Sequence, residues 1–196
     1  MCRGALTALL LLVAGCTGLE PSGPGMLSRE AEALAGQRAA PRLERQFGGT
    51  YDDPAITARL AVIGKRLALE PRPESCQWRF WLLASDEVNA FSLPGGLIYV
   101  TRGLCQRMGD DDDLLAAAVA HEMSHVLSRD GLKPAAGSVE ESFDREVQAD
   151  SGAATLLRVG GYDPKGLVRL MALTKDVQPT GWAQARAEKL NEATEK

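Results

Sequence analysis

Both histidines of this 196-residue chain lie within one five-residue stretch, in which His121 and His125 flank Glu122. Residues four apart in an α-helix lie about 40° apart around its axis and one turn apart along it. The two imidazoles would then project from one helical face, where they could share a tetrahedral Zn²⁺ ion. Glu122 would lie roughly 100° around from His121, at the edge of that face, where it could act on water at the metal.

The flanking sequence predicts that this stretch belongs to a buried helix. An apolar run begins at Leu114, after four consecutive aspartates, and the helix is predicted to continue to about Ser128. In projection, Leu114 and Ala118 share a stripe with the two histidines. H-E-x-x-H on a helix is the pattern of zinc proteases, with two metal ligands and a general base. A chance string on a surface helix is the alternative, which the apolar surroundings disfavour.

A catalytic zinc site needs a third protein ligand and one open position. The predicted helix over residues 139–159 carries several acidic residues, and projection places Glu146 and Asp150 on its apolar stripe. Two carboxylates on such a face are costly to bury without partners, and a dication with its histidines is a suitable partner. We therefore predict Glu146 as the third zinc ligand and Asp150 as the acceptor of a ligating histidine's distal N–H. A solvated acidic face is the alternative.

The H-E-x-x-H and E-x-x-x-D motifs together resemble those of the gluzincin metallopeptidases of the HtpX and CAAX prenyl-protease family. Residues 89–104 are similar to the family's segment just upstream of the metal helix, and residues 149–164 resemble its stretch after the third ligand. The resemblance covers about residues 50–175 and is closest to the small periplasmic lipoprotein branch. It implies a zinc metalloendopeptidase with one zinc ion per chain.

Two features depart from the family pattern. Members often continue the metal helix with a basic pair ending in histidine, whereas this chain has Arg129 and Asp130 there. Many also carry a His-Pro pair and a later arginine near the C-terminus, whereas Arg186 here follows a stretch without histidine. Arg186 is the resulting candidate for a group that supplements zinc in stabilising the oxyanion.

The amino terminus predicts export and lipidation. Residues 1–15 combine a weakly basic start with an apolar run that is too short for a stable membrane span but typical of a secretory signal. The run ends in V-A-G-C, which resembles a bacterial lipobox, so Cys16 would carry the lipid. Residues 16–25 would form a flexible, Pro- and Gly-containing tether. A buried N-terminal helix with an incidental cysteine is the alternative. The residue after Cys16 is not aspartate, which favours the outer over the inner membrane.

Composition favours a single soluble domain over residues 26–196. A formal net charge of −4 without a basic stripe disfavours nucleic acid as a partner. We expect an α+β, mostly helical fold, namely a gluzincin metalloprotease domain with a short β-sheet or hairpin beside the zinc helix. Further helices are predicted over residues 27–46, 54–69, 164–175 and from 182 onward, and strands over residues 78–83, 89–91 and 97–101.

Cys76 and Cys105 flank the predicted strands. In an oxidising periplasm they could form a disulfide. Two buried thiols are the alternative, since sequence alone does not show whether the two Cα atoms approach within bonding range.

The predicted reaction is hydrolysis of a peptide bond, in which Glu122 takes a proton from water and delivers it to the leaving amine. The segment Asn89, Ala90 and Phe91 would present an open strand edge beside the metal, where an extended peptide could add as a further strand. Recognition through the backbone favours misfolded or unassembled cell-envelope proteins as substrates, with the membrane reached through the lipid anchor. The alternative is a non-catalytic lipoprotein that keeps zinc structurally and acts as an envelope chaperone or scaffold.

Overall fold

The computed structural model describes residues 28–68 and 76–194, so the predicted signal, Cys16 and the tether lie outside the described residues. The described part is mostly helical with one small sheet, which confirms the predicted α+β class. The helices are α1 Arg29–Gln46, α2 Pro54–Leu67, α3 Arg102–Met108, α4 Asp112–Leu127, α5 Val139–Gly160, α6 Lys165–Leu173 and α7 Trp182–Thr194. The strands are β1 Arg79–Leu83, β2 Ala90–Leu93 and β3 Leu97–Thr101, and a 3-10 turn spans Asp130–Leu132.

The sheet has the order β1-β3-β2, so β3 is central and β2 lies at one edge. β1 pairs with β3 in parallel, and β2 pairs with it antiparallel through the turn that follows Leu93. Every residue of β3 is buried, because its alternate side chains face two apolar clusters. Ile98 and Val100 join the main core with α2 and α4, whereas Leu97 and Tyr99 pack with residues of α1. The sheet is therefore covered by helices on both faces.

Helix α4 runs through the centre of the molecule, and all of its residues from Leu114 to Val126 are buried. Its N-cap is Asp111, whose side chain accepts a hydrogen bond from the Leu114 N–H at 3.1 Å, and two further aspartates lie in the first turn. These acidic groups complement the positive end of the helix dipole. α4 packs against α5 so closely that a Cβ on Gly152 would lie 2.1 Å from Ser124 Oγ. This contact brings the acidic residues of α5 beside the histidines.

Two elements differ from the sequence expectation. Strand β2 spans Ala90–Leu93 rather than residues 89–91, because Ser92 and Leu93 continue the pairing with β3. Helix α3 was not predicted; it starts directly after β3, where Thr101 Oγ1 accepts a hydrogen bond from the Leu104 N–H at 3.3 Å. Within residues 28–68 and 76–194, no helix has both the length and the apolar character needed to cross a membrane.

Candidate active site

His121, His125 and Glu146 come together where α4 meets α5, each with no more than 10% of its side chain exposed. The two Nε2 atoms lie 3.1 Å apart. His121 Nε2 is 3.3 Å from Glu146 Oε2, and His125 Nε2 is 3.5 Å from Glu146 Oε1. Helical projection places the two histidines on one stripe of their helix and Glu146 on the apolar stripe of the next helix, and the structure brings the three into one cluster.

The cluster fits a zinc ion. Bonds of about 2.0–2.2 Å in a tetrahedral centre place neighbouring ligand atoms about 3.3–3.6 Å apart. The three distances above agree with that spacing to within a few tenths of an ångström. Glu146 Oε2 is buried, and no donor among the described residues forms a hydrogen bond to it, although His121 Nε2 and Arg186 Nη1 lie 3.3 and 3.1 Å away. A buried carboxylate oxygen in this position is suited to a cation.

The electrostatics of the cluster favour positive charge at its centre. Burial alone would lower the pKa of His121, but the Asp150 and Glu146 carboxylates outweigh it and raise that pKa well above its usual value. Burial alone would raise the pKa of Glu146, but His121 and then Arg186 hold it well below its usual value. Burial alone would likewise raise the pKa of Asp150, but hydrogen bonds from Arg186 and the neighbouring His121 outweigh it and lower that pKa. Both carboxylates therefore remain ionised, and positive charge beside them compensates them.

Asp150 lies behind His121, on the side away from Glu146. Its Oδ1 is 3.1 Å from His121 Nδ1, within reach of a hydrogen bond, although the two atoms do not form one in this geometry. This is the placement expected for a carboxylate that orients a ligating imidazole. Arg186 from α7 binds the same carboxylate with two hydrogen bonds, from Nε at 2.8 Å and from Nη2 at 2.7 Å. Asp150 is only 1% exposed, so this bidentate pair compensates a buried charge.

Arg186 is held at the back of the cluster. Besides its two bonds to Asp150, its Nη1 lies 3.1 Å from Glu146 Oε2 and donates to Gln178 Oε1 at 3.2 Å. All three guanidinium nitrogens are thus engaged with neighbouring side chains. The structure gives Arg186 a positioning role towards Asp150 and Glu146, and its role at the oxyanion stays a prediction.

Asp130 is a site residue that sequence reasoning missed. Its Oδ2 lies 2.8 Å from His125 Nδ1, and its other oxygen binds Lys133 Nζ. In the sequence, position 130 stands out only as a departure from a family pattern. The one available signal was an Asp-Gly pair just after the metal helix, which is typical of a turn.

Glu122 and the edge strand complete the site. Glu122 follows His121 on α4 and is 8% exposed.

Strand β2 packs against α4, with Ala90 and Phe91 half-buried and paired to Val100 and Tyr99 of β3. Asn89, just before the strand, accepts a hydrogen bond from the Thr101 N–H at 3.1 Å through its carbonyl. Among the described residues no strand pairs with the outer edge of β2.

Cys76 and Cys105 are present as two thiols without a bond between them, and a disulfide in an oxidising periplasm stays a prediction. Cys76 is half-buried, whereas Cys105 is buried. Burial raises the pKa of the Cys105 thiol to about 11, so this group stays protonated and unreactive near neutral pH.

Residues 54–143 match the sequence model of peptidase family M48. The chain is 35% identical over 88 residues to the beta-barrel assembly-enhancing protease of Escherichia coli strain K12, which covers 43% of this chain and 18% of that protein. It is 27% identical over 120 residues to a putative beta-barrel assembly-enhancing protease of Vibrio cholerae, over 61% of this chain and 22% of that protein. It is also 32% identical over 73 residues to the mitochondrial metalloendopeptidase OMA1 of Schizosaccharomyces pombe, over 37% and 21% of the two chains.

These matches have a limited extent. The chain spans only about a fifth of the length of the curated relatives it matches. The family match includes the H-E-x-x-H motif and ends three residues before Glu146. The assignment of Glu146 therefore depends on its position in the structure and on the spacing of the sequence motifs.

Proposed function

Because residues 54–143 match the sequence model of peptidase family M48, we propose that the chain is a zinc-dependent metalloendopeptidase that cleaves misfolded or unassembled proteins of the bacterial cell envelope. The observation that carries this proposal is the convergence of His121, His125 and Glu146 in one buried cluster, with Glu122 directly after His121 on α4 and 8% exposed. A purely structural zinc site would use its ligands alone and would have no need of an acidic residue next to the first histidine.

His121, His125 and Glu146 would hold the zinc ion, leaving one position open. When bound, the ion supplies Lewis-acid chemistry, which polarises a peptide carbonyl and makes water more acidic. Glu122 lies roughly 100° around α4 from His121, too far around to share the face of the two histidines. Its carboxylate acts as the general base that takes a proton from the attacking water. It then gives that proton to the leaving amine, which returns Glu122 to its ionised state.

The carboxylates around the cluster keep this arrangement fixed. The Asp150 carboxylate, 3.1 Å from His121 Nδ1, would accept the Nδ1–H of the ligating histidine and thereby leave Nε2 as the nitrogen that faces Glu146. Arg186 holds Asp150 in place through its two hydrogen bonds. A histidine whose tautomer and ring orientation are set in advance loses less conformational freedom when it binds metal.

The substrate class follows from strand β2. An extended peptide could align with its outer edge beside α4 and bind mainly through backbone hydrogen bonds. Asn89, Ala90 and Phe91 are the residues at the start of this edge. Such binding requires an unfolded or loop segment and has little sequence preference. The named role of the E. coli and V. cholerae relatives in β-barrel assembly supports envelope proteins as the substrates.

The cellular location is proposed from the sequence of the amino terminus. Cleavage before Cys16 would remove residues 1–15 and leave Cys16 at the amino terminus, with a diacylglycerol on its thiol and an acyl chain on its amine. Residues 16–25 would then tether the catalytic domain at residues 26–196 to the periplasmic face of the outer membrane. Three acyl chains on one cysteine exceed what stable anchoring requires. The role in β-barrel assembly named for the bacterial relatives supports this location.

The test is cleavage of an unfolded substrate by the full chain, purified in detergent. We expect unfolded casein or an unfolded β-barrel precursor to be cleaved, cleavage to stop on chelation, and added zinc to restore it. Glu122→Gln should abolish cleavage, whereas Glu140→Gln, an exposed glutamate on α5, should not. Binding of the unfolded precursor without any cleavage, alike in wild type and Glu122→Gln, would instead support the chaperone alternative.

A further inference from the structure

The two histidines of the cluster have matching surroundings. Each directs Nε2 towards the other and towards Glu146, and each directs Nδ1 towards an aspartate. For His121 that aspartate is Asp150, at 3.1 Å. For His125 it is Asp130, at 2.8 Å. A carboxylate therefore lies behind each imidazole. The His125–Asp130 pair is the shorter one and is a hydrogen bond, whereas the His121–Asp150 pair does not have hydrogen-bond geometry.

Asp130 reaches His125 because helix α4 ends before residue 130. If the helix continued, a residue five positions on would lie about 140° around the axis from His125 and would face away from it. Instead α4 ends at Leu127, and Arg129 adopts a left-handed backbone conformation with φ of 58°. The 3-10 turn that begins at Asp130 then brings its carboxylate back over His125.

Two ion pairs hold this turn. The left-handed conformation costs a non-glycine residue about 1–2 kcal/mol, so other contacts must stabilise it. The guanidinium of Arg129 pairs with Glu32 of α1, which is 3% exposed. Lys133 Nζ pairs with Asp130 Oδ1, leaving Oδ2 for His125. Both oxygens of Asp130, itself 3% exposed, therefore have a partner.

We infer that Asp130 is a positioning residue for the zinc site: it accepts the Nδ1–H of His125 and so presents Nε2 of that ligand to the metal. This inference rests on the proposed zinc site and gives the second histidine the support that Asp150 gives the first. Carboxylates in this position fix the tautomer and ring orientation of the ligand and increase its basicity. An ion pair that merely closed the turn would stabilise the fold without affecting metal binding.

The decisive variant is Asp130→Asn, which keeps the size of the side chain and removes its charge. We expect the zinc dissociation constant, measured by competition with a chromophoric chelator, to rise about 10- to 100-fold. The matched control is Asp144→Asn, an exposed aspartate on α5, which should leave zinc affinity at the wild-type value. The visible spectrum of the cobalt-substituted protein should also change in Asp130→Asn and not in the control.

Lys133→Gln separates positioning from turn stability. This variant breaks the Lys133–Asp130 ion pair, as Asp130→Asn does, but it leaves the Asp130 carboxylate on His125. Its zinc affinity should therefore stay close to that of the wild type. Equal zinc affinity in the wild type, Asp130→Asn and Lys133→Gln, with lower melting temperatures of both metal-free variants, would overturn the inference.

A measurement on the wild-type chain does not depend on how any variant folds. Because the chain has only two histidines, nitrogen-15 NMR of the zinc-loaded protein, prepared without a histidine tag, reports each ring separately. We expect His125 to bind zinc through Nε2 and to carry a slowly exchanging, strongly downfield Nδ1 proton. Coordination through Nδ1, or a freely exchanging proton there, would overturn the inference. Absence of peptide cleavage would count against the proposed function alone, since neither measurement uses hydrolysis.

Discussion

Replacing Arg186 with glutamine should strongly destabilise the protein. Arg186 is 5% exposed and makes two hydrogen bonds of 2.8 and 2.7 Å to Asp150, which is 1% exposed. Its Nη1 also lies 3.1 Å from Glu146. Removing one partner of a buried ion pair costs about 3–5 kcal/mol, because the other charge stays buried without compensation. Since each kcal/mol lowers the melting temperature of a domain of this size by about 2–4 °C, we expect a fall of about 6–20 °C.

The assay is thermal and denaturant unfolding of the metal-free protein. Arg158→Gln is the matched control, because Arg158 is an exposed arginine on α5 and its replacement should change stability by less than about 0.5 kcal/mol. The double variant Arg186→Gln with Asp150→Asn should lose much less than the sum of the two single losses, since each single change leaves the other charge uncompensated. A loss below about 1 kcal/mol for Arg186→Gln would refute the reasoning, because it lies far under the cost expected of a broken buried pair.

Three further predictions concern the site and the anchor. Glu122→Gln should retain one equivalent of zinc by elemental analysis, together with near-wild-type thermal stability, while losing proteolysis; loss of zinc along with activity would contradict its role as a base. Glu146→Ala should abolish tight zinc binding, whereas Glu140→Ala on the same helix should not, and the reverse pattern in a chelator competition would contradict the ligand assignment. Cys16→Ala should prevent metabolic labelling with palmitate and leave the chain uncleaved or mis-sorted on membrane fractionation, whereas unlabelled wild-type protein in the soluble periplasm would contradict the lipoprotein prediction.

Helical periodicity predicted the centre of the molecule well, because it depends on local geometry. The metal helix was expected from about Leu114 to Ser128 and spans Asp112–Leu127. Projection of α5 selected Glu146 and Asp150 from several acidic residues, and the structure places these two beside the histidines. A buried amphipathic helix leaves few faces for a charged side chain, so the acids on its apolar stripe stand out.

The missed features depend on contacts between distant parts of the chain or on short elements. Helix α3 has seven residues, too few for a periodic pattern to be recognised. The left-handed conformation of Arg129 has no signature in the residue type, since glycine or asparagine would normally mark it. The pairing of Arg186 with Asp150 joins residues 36 positions apart and exists only because α7 docks on α5.

The most direct test of the account is to locate the metal in crystals of the zinc-loaded protein by anomalous diffraction at the zinc edge. We expect one strong peak within about 2.0–2.2 Å of His121 Nε2, His125 Nε2 and a carboxylate oxygen of Glu146. We also expect Glu122 beside the ion and outside bonding distance. A peak elsewhere in the chain, or a zinc ion that binds the two histidines and Glu122 while Glu146 stays distant, would contradict the central claim.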